Sequence, residues 1–270
     1  MVQQKEITVP DEITNSIRGF WYRDIDLGSA ADAFEVLPDG HAEIIFHFGC
    51  DLVLEGQFGP LPSPFMVGLL NKPIYFRTTG RLQVIGIKCL PWAVYDLLNL
   101  TSIKGGVQSF THPIALLHPR LKDHIANGEI DAALVLVRDW CLERRPSITP
   151  ELKKAGKAML AANGALPVNS LAAAAHTTVR TLERKFKASS GHTLKDVSGL
   201  IRFEKACERL WDDPKISMAG LAYELGYADQ SHMNREFKRY SGATAATFAR
   251  QAKVRKKELG DHFVAIVLSS

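Results

Sequence analysis

Two arginines, Arg184 and Arg235, stand 51 positions apart at the head of near-copies of one pattern. Arg184-Lys185-Phe186-Lys187-Ala188-Ser189-Ser190-Gly191 and Arg235-Glu236-Phe237-Lys238-Arg239-Tyr240-Ser241-Gly242 share Arg, Phe, Lys, Ser and Gly at five of eight positions. Each copy follows a Leu-Ala pair, Leu171-Ala172 or Leu221-Ala222. At helical spacing the first copy turns Arg180, Thr181, Glu183, Arg184 and Lys187 outward and Leu182 and Phe186 inward. The second turns Ser231, Asn234, Arg235 and Lys238 outward, with Gln230 and His232 at its N-terminal edge and Met233 and Phe237 inward. These side chains can read base edges. Arginine donates two bonds to guanine O6 and N7, Asn or Gln pairs with adenine, and Glu accepts from cytosine N4. Lys187, Lys238 and Arg239 lie further along, where phosphate is the expected partner. Solvated helix faces can share this composition, but two matched copies favour a repeated reading unit.

Charge is unevenly spread. Residues 1–147 hold 13 basic and 17 acidic side chains, residues 148–252 hold 16 and 10, and residues 253–270 hold 4 and 2. A basic domain behind an acidic one points to a polyanion as partner. The 46% hydrophobic content over 270 residues suits a globular chain of about two domains. No run approaches the ~20 apolar residues of a membrane span, and Met1-Val2-Gln3-Gln4-Lys5 begins no secretory signal. Cys50, Cys89, Cys141 and Cys207 are scattered, with no C-x-x-C pair, which suits a reducing cytoplasm.

The first 110 residues read as strands. Val36-Leu37 leads to a Pro38-Asp39-Gly40 turn. From His41 to Phe48 the pattern alternates, with Ala42, Ile44, Phe46 and Phe48 on a core face and His41, Glu43, Ile45 and His47 on the other. Further strands are expected at 51–56, 64–69, 74–79 and 82–89, punctuated as in a sandwich or barrel. A short helix is expected over 92–98, started by Pro91. A longer one over 130–141 carries a stripe of Ile130, Leu134, Val137 and Cys141, which packs on the strands or forms a dimer seam.

From Thr149 onward the pattern is helical. Helices are expected near 150–162, 169–175, 179–189, 194–211, 218–225, 230–240 and 245–251, with Thr149, Ser217 and Asp229 as N-caps and Gly164, Gly191, Gly226 and Gly242 as stops. Each half of the repeat is then a short helix, a tight turn and a second helix, the arrangement that lays its second helix in the major groove. The domains expected are 1–145, 146–252 and a tail, 253–270, whose short apolar run has no evident role.

The segment from Leu171 to Arg250 resembles the DNA-binding domain of the AraC/XylS family of bacterial transcription regulators. The resemblance rests on Leu171-Ala172, Leu182-x-Arg184-x-Phe186, Gly191, Arg202-x-x-x-Ala206-x-x-x-Leu210 and Ile216. It continues through Leu221-Ala222, Leu225-Gly226-Tyr227, Asp229-Gln230-Ser231, Arg235-x-Phe237-Lys238, Gly242 and Phe248. It implies two helix-turn-helix units joined by a long helix and set into successive major grooves ~34 Å apart. Where the family usually has a proline after each Gly-x-x, this chain has Leu194 and Ala245, so those helix starts are expected to be less sharply set.

The region around Val36–Phe46, with Met66-Val67-Gly68, Gly86-Ile87-Lys88 and Pro91, more weakly resembles the cupin-like sensor domains of such regulators. The fold class expected is therefore α+β, a β-rich barrel or sandwich with flanking helices followed by an all-α domain. The resemblance implies effector sensing or dimerisation. His41, Glu43 and His47 have side chains suited to zinc or iron, though not at the usual H-x-H spacing. A ligand-facing polar wall and a plain solvated face are the alternatives. Trp21, Tyr22, Tyr75, Arg77 and Trp92 are candidates for pocket lining, against the alternative of core.

The function expected is sequence-specific DNA binding, modulated by a small-molecule effector or by self-association. The expected partners are double-stranded DNA, an effector, RNA polymerase and a second copy of the chain, with no membrane, no cofactor, no bound metal and no enzymatic activity. The competing readings are a cupin-type metal-dependent enzyme fused to a DNA-binding module, and a DNA-repair methyltransferase. The latter would want a zinc-held cysteine cluster.

Overall fold

The computed structural model describes residues 3–26, 32–101, 106–144, 147–259 and 266–268. The domain boundary expected at 145/146 lies outside the described residues. The strands are β1 (Gln3–Ile7), β2 (Ile17–Asp26), β3 (Asp32–Val36), β4 (Ala42–Phe48), β5 (Val53–Leu54), β6 (Phe65–Val67), β7 (Ile74–Thr78), β8 (Arg81–Cys89), β9 (Val107–Ser109) and β10 (Ile266–Leu268). They build two antiparallel sheets, ordered β1-β2-β8-β4-β6-β9 and β10-β3-β7-β5. The sheets face each other across Trp21, Phe34, Ile45, Phe65, Phe76 and Val84 and do not close into a barrel. The short apolar run of the C-terminal tail supplies β10, which pairs with β3 from Ile266↔Val36 to Leu268↔Phe34.

The outer face of the larger sheet is also covered. Helices α1 (Val94–Leu97), α2 (His118–Ala126) and α3 (Ile130–Glu143) pack there on Phe20, Tyr22, Ile44, Phe46, Ile85 and Ile87. The stripe Ile130, Leu134, Val137 and Cys141 faces β1 and β2. Strand β4 is therefore buried on both sides, and His41 and His47 are each only 8% exposed. This overturns the solvated-face reading of that edge. Strand β2 escaped the alternation test for the same reason. Its Phe20-Trp21-Tyr22 run sends Trp21 to the other sheet and its two neighbours to the helices, so no polar face marks the period.

The remaining helices are α4 (Pro150–Ala161), α5 (Val168–Ala174), α6 (Val179–Ser190), α7 (Leu194–Asp212), α8 (Met218–Glu224), α9 (Gln230–Ser241) and α10 (Ala245–Leu259). Their starts match the pattern closely. Helix α10 runs eight residues past its expected end at 251. Thr178, Ser217 and Asp229 accept first-turn N–H bonds, whereas the Thr149 side chain makes no such bond. Gly191 and Gly242 take the left-handed conformation, φ 75° and 74°, that ends α6 and α9. The starts at Leu194 and Ala245 are well set without proline. Thr193 and Asp196 form a reciprocal capping box, and Thr244 Oγ1 accepts the Thr247 N–H.

Helix α7 is the centre of this bundle. Its Leu194, Val197, Leu200, Phe203, Ala206, Cys207, Leu210 and Trp211 are buried among Leu171, Leu182, Phe186, Leu221, Met233 and Phe237. A side chain at Gly199 would come within 2.7 Å of Tyr240 Oη, so glycine lets α9 close on α7. Arg202 then fastens them. It donates to both Glu236 carboxylate oxygens at 3.2 and 3.1 Å and to the Gly164 carbonyl at 2.8 Å.

The sheets and helices share a core. Leu37, Leu69, Leu90, Trp92 and Ala93 belong to the helical cluster. Helix α1 begins only at Val94, because Trp92 is drawn out of the expected 92–98 helix into the bundle. Its ring lies 5.6 Å from that of Phe186, and a methyl at Gly156 would meet Trp92 Cζ2 at 2.2 Å. Trp92→Ala is expected to cost about 3–5 kcal/mol and to split thermal unfolding into two transitions. A single transition at the wild-type midpoint in calorimetry would refute the role given to Trp92. Glu236→Gln leaves the half-buried Arg202 charge without its carboxylate. It is expected to lower the denaturant-derived stability by about 3 kcal/mol, more than Glu208→Gln on the same bundle.

Candidate nucleic-acid interface

The two second helices of the repeat, α6 and α9, present their outward residues as the spacing predicts. Arg180, Arg184 and Lys187 on α6, and Gln230, Ser231, Arg235 and Lys238 on α9, are exposed. Thr181 and Glu183 are half-buried, as are His232 and Asn234. Leu182, Phe186, Met233 and Phe237 are buried. Among the described residues Arg184 and Arg235 have no acidic partner. Lys185 is held by Glu151 at 2.8 Å and Arg239 stands 3.9 Å from Asp196, so these two cations are partly engaged inside the domain.

Two predicted contacts also serve the helix starts. Thr181 N–H and hydroxyl both meet the Thr178 side chain, at 3.2 and 3.0 Å. His232 Nδ1 accepts the Ala228 N–H at 3.4 Å, and its ring packs edge-on against Tyr227. His232 is thus turned back on the turn between α8 and α9.

The predicted effector residues divide into two groups. Trp21, His41 and Glu43 line a cavity of about 170 Å³ with Arg18, Arg23, Asp39, Lys88, Glu204 and Glu208. This cavity lies where the larger sheet meets α7. It adjoins a narrow apolar chamber of about 50 Å³ between the sheets, which shares Trp21, Arg23 and Glu43 and adds Phe34, Phe65 and Phe76. His47 lies apart, with Nε2 3.1 Å from the Leu61 carbonyl. Tyr75 and Arg77 are on the outer face of the smaller sheet, bonded to Glu35 and Glu55. His41, Glu43 and His47 are therefore not one ligand set.

Charges in the cavity are tightly paired across the two parts of the chain. Lys88 Nζ lies 3.1 Å from Asp39 Oδ2 and 3.4 Å from Glu204 Oε1. His41 Nδ1 lies 3.4 Å from Glu204 Oε2. Burial opposes the His41 charge most strongly, but Glu204 and Asp39 together outweigh it and push the imidazole up to about 9. Burial likewise opposes ionisation of Glu204, yet His41 and Lys88 hold it well below the usual carboxylate range. Glu43, half-buried and beside Asp39, is raised instead, desolvation being the main cause. It accepts from Trp21 Nε1 at 3.2 Å.

Asp39, Lys88 and Glu204 escaped the sequence reading. Glu204 left one signal, as a carboxylate on the apolar side of α7, three and four positions from Ile201 and Leu200. The four cysteines form no cluster. Cys89, Cys141 and Cys207 are buried and free, and Cys50 bonds Thr78.

Residues 171–251 match a family model described as a helix-turn-helix domain. Residues 5–104 match a domain of unknown function, DUF6597. The chain is similar in fold to ToxT from Vibrio cholerae, with 12% identity, 86% of this chain and 98% of that one covered, and a TM-score of 0.50. The DNA-binding domain of the global transcriptional factor AdpA, solved with a target DNA, matches at 21% identity over 41% of this chain and 99% of its own, with a TM-score of 0.37. The C-terminal domain of AraT, a response regulator from Geobacillus stearothermophilus, matches at 22% identity over 38% and 86%, with a TM-score of 0.36. No curated protein matches the chain. Residues 171–251 are an AraC-type helix-turn-helix domain, and the chain as a whole shares the fold of ToxT.

Proposed function

We propose that the protein is a sequence-specific transcription regulator whose two reading helices act as one head, under control of the sheet domain. The observation that carries this is the pair of exposed, unpaired arginines, Arg184 and Arg235, on α6 and α9, both packed on α7. Two such helices on one body suit half-sites about one turn of DNA apart on one face. The copies differ, with Glu183 in one and Asn234 in the other, so the half-sites are unlike. The contacts assigned are Arg180, Thr181, Glu183, Arg184, Gln230, Ser231, Asn234 and Arg235 to bases, and Lys187 and Lys238 to phosphate. His232 sets the turn as well as the groove edge. The chain acts in the cytoplasm and has no catalytic activity in this reading. Among the described residues no helix is long and apolar enough to cross a membrane.

Control would pass through α7. An effector entering the cavity at Glu43 and Trp21 meets Glu204 and Glu208 on that helix, and so biases the docking of the sheets against the reading head. Self-association through the sheet domain would act on the same docking.

Sites selected from random DNA provide the test. Arg184→Ala and Arg235→Ala are each expected to weaken selected-site binding about 10- to 100-fold, from a loss of about 1–3 kcal/mol per bidentate contact, with unchanged circular dichroism. Wild-type affinity in both variants would sink the proposal. Lys187→Ala and Lys238→Ala should weaken all sequences alike. Each should flatten the slope of log affinity against log salt by about one unit.

A further inference from the structure

Three donor atoms converge where the turn before β4 meets α7. Asp39, His41 and Glu204 contribute one each, all within 4.8 Å of one another. His41 Nδ1 stands 3.4 Å from Glu204 Oε2 and 3.7 Å from Asp39 Oδ2. Donors about 2.0–2.1 Å from a tetrahedral cation stand roughly 3.3 Å from each other, so these spacings need little adjustment to receive one. The His41 ring is 8% exposed; its Nδ1 faces the Glu204 and Asp39 carboxylates, and its Nε2 has no hydrogen-bond partner. A buried imidazole set against two carboxylates, with its other nitrogen unpartnered, is an uncommon arrangement that calls for an explanation.

The surroundings hold the donors in place. Asp39 Oδ1 accepts the His41 N–H at 3.0 Å, and Gly40 N–H donates to Glu204 Oε2 at 3.3 Å. Lys88 lies on the far side of Glu204, against the oxygen that His41 does not face. It thereby orients the carboxylate as an outer partner does in metal sites.

We propose that Asp39, His41 and Glu204 bind a divalent transition-metal cation, zinc being the first to test. One imidazole and two carboxylates form a borderline donor set without thiolate, suited to Zn²⁺ and its first-row neighbours. Two carboxylate charges match the dication; Lys88, which pairs with Asp39 Oδ2 at 3.1 Å and Glu204 Oε1 at 3.4 Å, yields Asp39 Oδ2 when the cation enters. The ligands come from both parts of the chain, so the cation ties the sheet domain to α7. The site does not depend on the DNA-binding reading.

The experiment uses the full chain, treated with chelator and titrated with Zn²⁺ by calorimetry and with Co²⁺ by visible absorption. One equivalent is expected to bind, with an intense tetrahedral Co²⁺ band and a raised melting temperature. His41→Gln and Glu204→Gln should each weaken binding at least about tenfold, while His124→Gln, outside the cluster, should bind as wild type. Absence of stoichiometric binding by the folded wild-type chain overturns the proposal without recourse to any variant. So does equal binding by wild type, His41→Gln and Glu204→Gln.

Discussion

Everything in this molecule is arranged around the burial of α7. Eleven of its nineteen residues are buried, and a helix so enclosed can turn only a few polar groups outward. Two of them, Arg202 and Glu204, stand two positions apart and point to different partners. Arg202 reaches α9 through Glu236 and the end of α4 through Gly164. Glu204 reaches the sheet domain through Gly40, His41 and Lys88. One element is thereby pinned on one side to α9 and on the other to the sheet domain. Removing either partner of such a pair leaves a half-buried charge unmatched, which costs stability.

The apolar contacts follow the same division. Trp92 leaves the sheet domain to sit against Phe186, the inward anchor of the first reading helix. Phe203 of α7 lies against Phe237, the matching anchor of the second, at 4.9 Å. Each of α6 and α9 is thus seated by its own Phe, one touching the sheet domain directly and the other through α7. The two halves of the repeat are alike in local form and unlike in what they touch.

The helical half was largely legible because its signals are local. Caps, glycine stops and the 3.6-residue period depend on near neighbours, and Leu182, Phe186, Met233 and Phe237 fell inward as spacing required. The sheet half was less legible because its central strands are covered on both faces. A strand like β2, with three aromatics in succession, carries no alternation to detect. His41 and Glu43 looked like a polar face, and became the wall of a cavity only when α7 closed over them. Tyr75 and Arg77, of similar chemistry, stayed on the outside because β7 turns them away from the facing sheet.

By itself the amino-acid sequence determined the double reading unit, its inward anchors and its basic outer surface, since helix periodicity and capping act over a few residues. Only the tertiary structure decided that Asp39, His41 and Lys88 meet Glu204, more than a hundred residues further along the chain. It also decided that Trp92 belongs to the helical core and that the tail supplies a strand. Such meetings depend on which faces find one another in three dimensions, and no local pattern encodes the partner of a lone buried charge.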